Sequence, residues 1–223
     1  MAQYTVLVNT LTYEKAQAYL EALQTGTRAG RYVQEQLHQS TVSHMTVDAF
    51  FEVLMRTKRP LIFAESAVAG DGSDWTPEEL SILGDIGVAT PVTVYDDGKH
   101  RRPHIHASPF PATLLFVPGA LLQSGGRHLP ADWDEVVDDT TLNSEAYRAL
   151  YHRRLYPLFM YANTTAKHRE TFAFITIPGL GCGQFAGRFR GQLGEELKQA
   201  LVTFLTLYGP EFPHIRGVYY DPY

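Results

Sequence analysis

The chain has 223 residues, of which 44% are hydrophobic, 19% charged and 12% aromatic. That apolar content offsets the entropy of ordering the backbone and excludes a disordered protein. No apolar run approaches the ~20 residues of a spanning helix, which excludes a membrane span. Lys and Arg number 19 against 24 Asp and Glu, for a formal net charge of -5. Duplex DNA-binding domains carry a basic excess that neutralises phosphate, so no nucleic-acid partner is expected. The single cysteine, Cys182, forms no intrachain disulfide and no multi-cysteine zinc site, which fits a reducing, cytosolic setting. Met1-Ala2-Gln3-Tyr4 lacks the basic stretch and apolar segment of a secretory signal peptide.

The first sixty residues read as mainly helical after a short strand at 4–8. In 11–24, Ala16, Tyr19, Leu20 and Leu23 share one helical face, and Gly26 offers a stop. Residues 31–39 are a weaker helix. In 46–57, Val47, Phe50, Phe51 and Leu54 repeat at helical spacing, with Asp48 in the first turn, where negative charge suits the helix dipole. A short apolar run, 61–64, leads into a turn-rich stretch, 69–74. Thr76-Pro77-Glu78-Glu79 is a helix start: Thr76 as N-cap, Pro77 in the first turn and Glu79 closing a capping box. Strands are expected at 92–95 and 112–117, and helices at 132–136 and 144–161, the second kinked at Pro157.

The last fifty residues are the most legible. Thr171-Phe172-Ala173-Phe174-Ile175-Thr176-Ile177 is β-branched and aromatic and predicts a buried strand. A glycine-rich loop follows. A helix from about Gln192 places Leu193, Leu197, Ala200, Leu201, Phe204 and Leu205 on one face and ends at Gly209-Pro210. Residues 215–220 return as a strand. Such a β–loop–α–β unit predicts a parallel crossover, hence an α/β fold with a mixed sheet flanked by helices.

The loop comprises Gly179, Leu180, Gly181, Cys182, Gly183, Gln184, Phe185, Ala186 and Gly187. Without side chains in the way, its backbone N–H groups can lie against a phosphate at the carboxyl end of a strand. Gln184 is a further donor, Phe185 a cover for a base or ribose, and Arg188 and Arg190 bring positive charge to the rim. The loop lacks Gly-Lys-Ser/Thr, which rules out a P-loop, and its spacing departs from GxGxxG. The competing reading is structural: the glycines make a tight turn and let helix and strand pack closely.

This strand and loop, 174–187, resemble the diphosphate-binding segment of a macrodomain, and more narrowly the divergent macrodomain of bacterial effectors of the MavL type. The resemblance extends through 116–122, 131–136, 151–157 and 218–223, roughly the C-terminal half. It implies a macrodomain-like core over 61–223, which the helical region read from periodicity at 1–60 precedes, and binding of ADP-ribose by the loop residues named above. It also implies removal of ADP-ribose from arginine of a modified protein such as ubiquitin, without metal or cofactor, in the cytosol of a host cell. Family chains continue past the strand that ends here in Asp221-Pro222-Tyr223, and their catalytic acids lie in that continuation. A fragment lacking those acids, or a non-catalytic ADP-ribose reader or protein-interaction module, is therefore the alternative.

Cleavage of ADP-ribosyl-arginine passes through an oxocarbenium-like state that a carboxylate stabilises. Asp71 and Asp74, in the glycine-rich stretch after an apolar run, are the internal candidates; turn and capping roles compete. Among the other acids, Asp132 is expected to open a helix. His104 and His106 with Asp96 or Asp97 have the spacing of a metal site, although Lys99, Arg101, Arg102, Pro103 and Pro109 argue for a surface hairpin. Cys182 is expected to be a small residue that permits backbone approach rather than a nucleophile. Arg153 and Arg154, on the helix at 147–155, are expected on a solvated face, with a protein-binding face as the alternative.

Overall fold

The computed structural model describes residues 4–37, 42–58, 74–96, 108–123 and 129–222. The apolar run at 61–64, the proposed boundary at 60/61, Asp71, Asp97, Lys99, Arg101, Arg102, Pro103, His104 and His106 lie outside the described residues.

Strand β1 (Thr5–Leu7) leads into helix α1 (Thr10–Gln24), which is capped by the Asn9 side chain accepting from the Leu11 amide. The glycine stop operates as anticipated. Gly26 adopts φ +107°, and the Gly26 and Thr27 amides turn back to the carbonyls of Leu23 and Ala22 at 3.2 and 2.9 Å, the Schellman closure. Helices α2 (Arg31–Leu37) and α3 (Val47–Thr57) follow, with Thr46 capping α3. Helix α4 (Pro77–Asp85) starts with the full Thr76/Glu79 capping box. The Glu79 carboxylate also accepts from Tyr19 Oη at 2.8 Å and from the Gly30 amide at 3.0 Å, so one capping side chain ties three segments together.

Strands β2 (Gly87–Val94) and β3 (Phe110–Phe116) join β1 in an antiparallel sheet of order β1-β2-β3. Strand β2 begins five residues earlier than its periodicity suggested, because Gly87 and Pro91 disguise it. Among the described residues its pairing with β1 ends at Ala89, and Pro91, opposite Thr113, falls beyond that point. A short helix α5 (Trp133–Val136) and a hairpin of β4 (Val137–Asp138) and β5 (Thr141–Leu142) lead into α6 (Ser144–His168). Helix α6 continues through Pro157 to His168 rather than ending near residue 161. Strand β6 (Ala173–Pro178) then pairs in parallel with β7 (Ile215–Asp221), across a 3-10 helix at Gln184–Phe189 and helix α7 (Leu193–Tyr208). The expected parallel β–loop–α–β unit is present. Among the described residues β3 and β6 belong to separate sheets.

Apolar side chains fall into two clusters. One joins α1–α4 and the start of β2 through Ala16, Leu20, Phe50, Leu54, Trp75 and Ile82. The other joins α6, α7 and the loops around them through Tyr147, Tyr151, Phe159, Leu197, Phe204 and Phe212. Charge fills the seam. At the end of α4, Asp85 accepts from Arg154 Nε at 3.0 Å and from Arg153 Nε at 2.7 Å. Arg154 Nη2 and Nη1 grip Asp132 at 2.6 and 3.1 Å, and Arg153 also pairs with Glu135 at 2.7 Å. The Arg154 and Asp85 side chains are fully buried. The solvated face expected for these arginines is therefore corrected: Arg154 occupies the buried stripe Tyr147, Leu150, Tyr151, Leu155, Leu158, and two carboxylates make its burial tolerable. Burial alone would raise the Asp85 carboxyl, but the two guanidiniums hold it below its ordinary value.

Lys58, just after α3, is buried beside this network and donates to the Leu83 carbonyl at 3.0 Å. Burial first, then repulsion from Arg154, lowers its pKa from 10.5 to about 7. Between those values the unfolded chain binds a proton that the folded chain does not, so stability rises with pH.

Two outcomes follow from the seam. Arg154→Met leaves the buried Asp132 without its cation and Asp85 with Arg153 alone, and lowers the unfolding free energy in urea by about 3–5 kcal/mol. Lys58→Met flattens the rise in urea midpoint between pH 7 and pH 9 that the parent protein shows; equal slopes for the two proteins would contradict the titration of Lys58.

Candidate functional site

Two loops meet on helix α6: residues 117–123, leaving β3, and the glycine loop 179–187, leaving β6. Their backbones touch. A methyl on Gly119 would overlap the Gly181 amide, and one on Gly181, at φ +73°, would stand 2.8 Å from the Ala120 amide nitrogen. The Leu122 amide donates to the Phe185 carbonyl at 2.9 Å. Tyr151, fully buried, accepts from the Ala120 amide at 3.0 Å and donates to the Leu180 carbonyl at 2.6 Å. Three residues along α6, Arg154 Nη1 donates to the Gly119 carbonyl at 3.2 Å, and its partner Asp132 accepts from the Leu121 amide at 2.7 Å. Asp132 occupies the N-cap position of α5, yet its side chain makes no cap bond there; it faces loop 117–123 and Arg154 instead.

The glycines divide by role. Gly179 lies against the end of β7, where a methyl would come 2.5 Å from the Pro222 carbonyl oxygen, and a methyl on Gly187, at φ +53°, would come 2.7 Å from the Leu122 carbonyl oxygen. With Gly181 these positions answer to close packing. Gly183 does not: its backbone lies at φ -91° and ψ -120°, and a methyl there would meet nothing within 4 Å. Gly183 and Gln184 are exposed. Among the described residues, no group accepts from the amides of Gly181, Gly183, Gln184 or Phe185. Arg188 and Arg190 are exposed on the same segment. This stretch offers uncommitted N–H donors and two guanidiniums, the requirements of an anion such as a phosphate.

The remaining candidates distribute as follows. Cys182 is half-buried, and burial pushes its thiol up despite a bond to Tyr220, the opposite of what a nucleophilic thiolate needs. Asp74 forms an ion pair with Arg31, and its carbonyl accepts from the Tyr32 amide at 3.1 Å. Its partners belong to the N-terminal helical layer, and the structure does not bring it to the glycine loop. Among the described residues no group of three or more His, Cys, Asp or Glu is arranged for a metal, and no helix is long and apolar enough to cross a membrane. A cleft of about 520 Å³ runs between β3 and β6 over α6 and meets the glycine loop at Pro178 and Leu180. Its walls are mostly apolar, and the anion donors lie outside it.

Sequence reasoning missed the apparatus behind the loops: Tyr151, Arg154 and Asp132. A signal was present. Residues 147, 150, 151, 154, 155 and 158 form one helical stripe, and a charged residue within it demands a buried partner.

A family model described as macrodomain effector MavL matches residues 4–223, so the resemblance reaches well beyond the C-terminal half. No curated protein matches the chain. With a parallel β–loop–α–β unit carrying the glycine loop and a family match over nearly every residue, the chain belongs to the MavL family of macrodomain effectors.

Proposed function

We propose that the protein binds ADP-ribose, with the diphosphate on the backbone amides of the glycine loop, and that it acts on ADP-ribosyl-arginine of a modified protein such as ubiquitin, in the cytosol of a host cell. The observation that carries the reading is the run of amides at Gly181, Gly183, Gln184 and Phe185, which have no acceptor among the described residues, with open space in front of Gly183. A glycine kept open in front of free donors suits the approach of a ligand backbone better than a tight turn does. Arg188 and Arg190 add opposite charge for the two phosphates, and family membership supports the choice of ADP-ribose among diphosphate ligands.

A second reading, recognition without turnover, is favoured by one observation. Glycosidic cleavage asks for a carboxylate free to stabilise the cationic ribose or to orient water. Asp132, the acid bound most directly to loop 117–123, is committed to Arg154 and the Leu121 amide.

Calorimetry decides the binding claim: heat that saturates with ADP-ribose is expected, and no heat at millimolar ligand overturns it. Incubation with ADP-ribosyl-arginine ubiquitin, followed by mass spectrometry, separates the two readings, since loss of the ADP-ribose mass supports hydrolysis and an unchanged mass leaves a reader. Gly183→Ala is expected to weaken ADP-ribose binding by about tenfold or more, the cost of roughly one displaced charge-assisted hydrogen bond. Gly181→Ala loses stability, by about 1–2 kcal/mol or more, because it strains a left-handed residue against backbone.

A further inference from the structure

The Tyr151 hydroxyl does more than fill the space under the loops. It is a single O–H, able to donate once and accept twice, and it binds a backbone group of each loop: it accepts from the Ala120 amide at 3.0 Å and donates to the Leu180 carbonyl at 2.6 Å. A trans peptide is planar, with its C=O and N–H pointing in opposite directions. Holding the Leu180 carbonyl toward α6 therefore turns the Gly181 N–H away from α6. The positive φ of Gly181 carries the chain onward from this peptide toward Gly183. Among the described residues the Gly181 amide has no acceptor.

The peptide joining Gly119 to Ala120 is held in the same manner from both sides, its N–H by Tyr151 and its carbonyl by Arg154. The two side chains stand one turn apart on α6 and act as a staple. Arg154 is fixed in turn by Asp85 and Asp132. Burial pushes the Tyr151 phenol up to about 12, so it keeps its donor proton throughout the physiological range.

We infer that Tyr151 is a positioning residue for the ligand: its hydroxyl orients the Leu180–Gly181 peptide so that the Gly181 amide joins the donors around Gly183 as a diphosphate contact. The inference rests on the proposed ADP-ribose binding and adds to it a donor and the side chain that aims it.

The test uses the full chain, labelled with 15N, and two ligands, ADP-ribose and inorganic pyrophosphate. With the parent protein, the Gly181 amide proton is expected to move downfield as either ligand is added. Tyr151→Phe, which keeps the ring and removes only the oxygen, is expected to bind ADP-ribose about tenfold more weakly and to lose most of the Gly181 shift, while the shifts of Gly183 and Gln184 persist. A purely structural role would scale all of these signals together. A Gly181 proton that stays still in the parent protein while its neighbours respond overturns the inference, as does a Tyr151→Phe variant of parental affinity. Should Tyr151→Phe not fold, the parent Gly181 shift alone decides. If the parent protein binds neither ligand, the ADP-ribose reading itself falls and takes this inference with it.

Discussion

The Arg154 guanidinium, fully buried between Asp85 and Asp132, is the interaction on which the rest of the molecule depends. It joins the end of α4 to the middle of α6, and so the first apolar cluster to the second. The same group reaches the Gly119 carbonyl, and its partner Asp132 holds the Leu121 amide. Burying one cation this deeply is costly, and two carboxylates with additional backbone acceptors offset the cost only when all of them are in place. A seam of this kind contributes less to net stability than to register: it admits one relative placement of α4, α6 and loop 117–123.

That placement accounts for the division of labour among the glycines. Gly119 and Gly181 let two backbones lie closer than any side chain would allow, Gly187 meets the Leu122 carbonyl, and Tyr151 closes the gap between the loops with a hydroxyl. Once these contacts are made, the space beside Gly183 is left empty. The loop is thus rigid at its ends and open in its middle, as a site of fixed amide donors needs to be: donors already ordered by the fold lose little entropy when a ligand arrives.

The sequence was legible wherever a local rule dominates. Gly26, the Thr76/Glu79 box, the apolar stripe of α7 and the β-branched run of β6 each announced their element, because capping and periodicity are set by near neighbours. Strand β2 was only partly visible, since Gly87 and Pro91 break the pattern of a strand and only the pairing with β1 and β3 reveals why they are tolerated. The helix expected through Pro157 is present, and packing around Tyr151, Leu155 and Phe159 supports α6 across a residue that would end an isolated helix; its last turns, beyond residue 161, were not foreseen. Of the candidate site, the glycine loop was evident from composition. Its support was not, because the contacts of Tyr151 with Ala120 and Leu180, and of Arg154 with Asp85, link residues far apart in the chain, and no local window contains both partners.

The order of the segments along the chain has a consequence for biogenesis. Loop 117–123 is made first, α6 next and the glycine loop last, and both loops are fastened to the helix that separates them. A nascent chain paused anywhere before Leu180 therefore possesses neither the facing backbone nor the aimed amide. Contacts of such sequence separation are slow to close, so ligand recognition should be among the last properties the protein acquires as it matures.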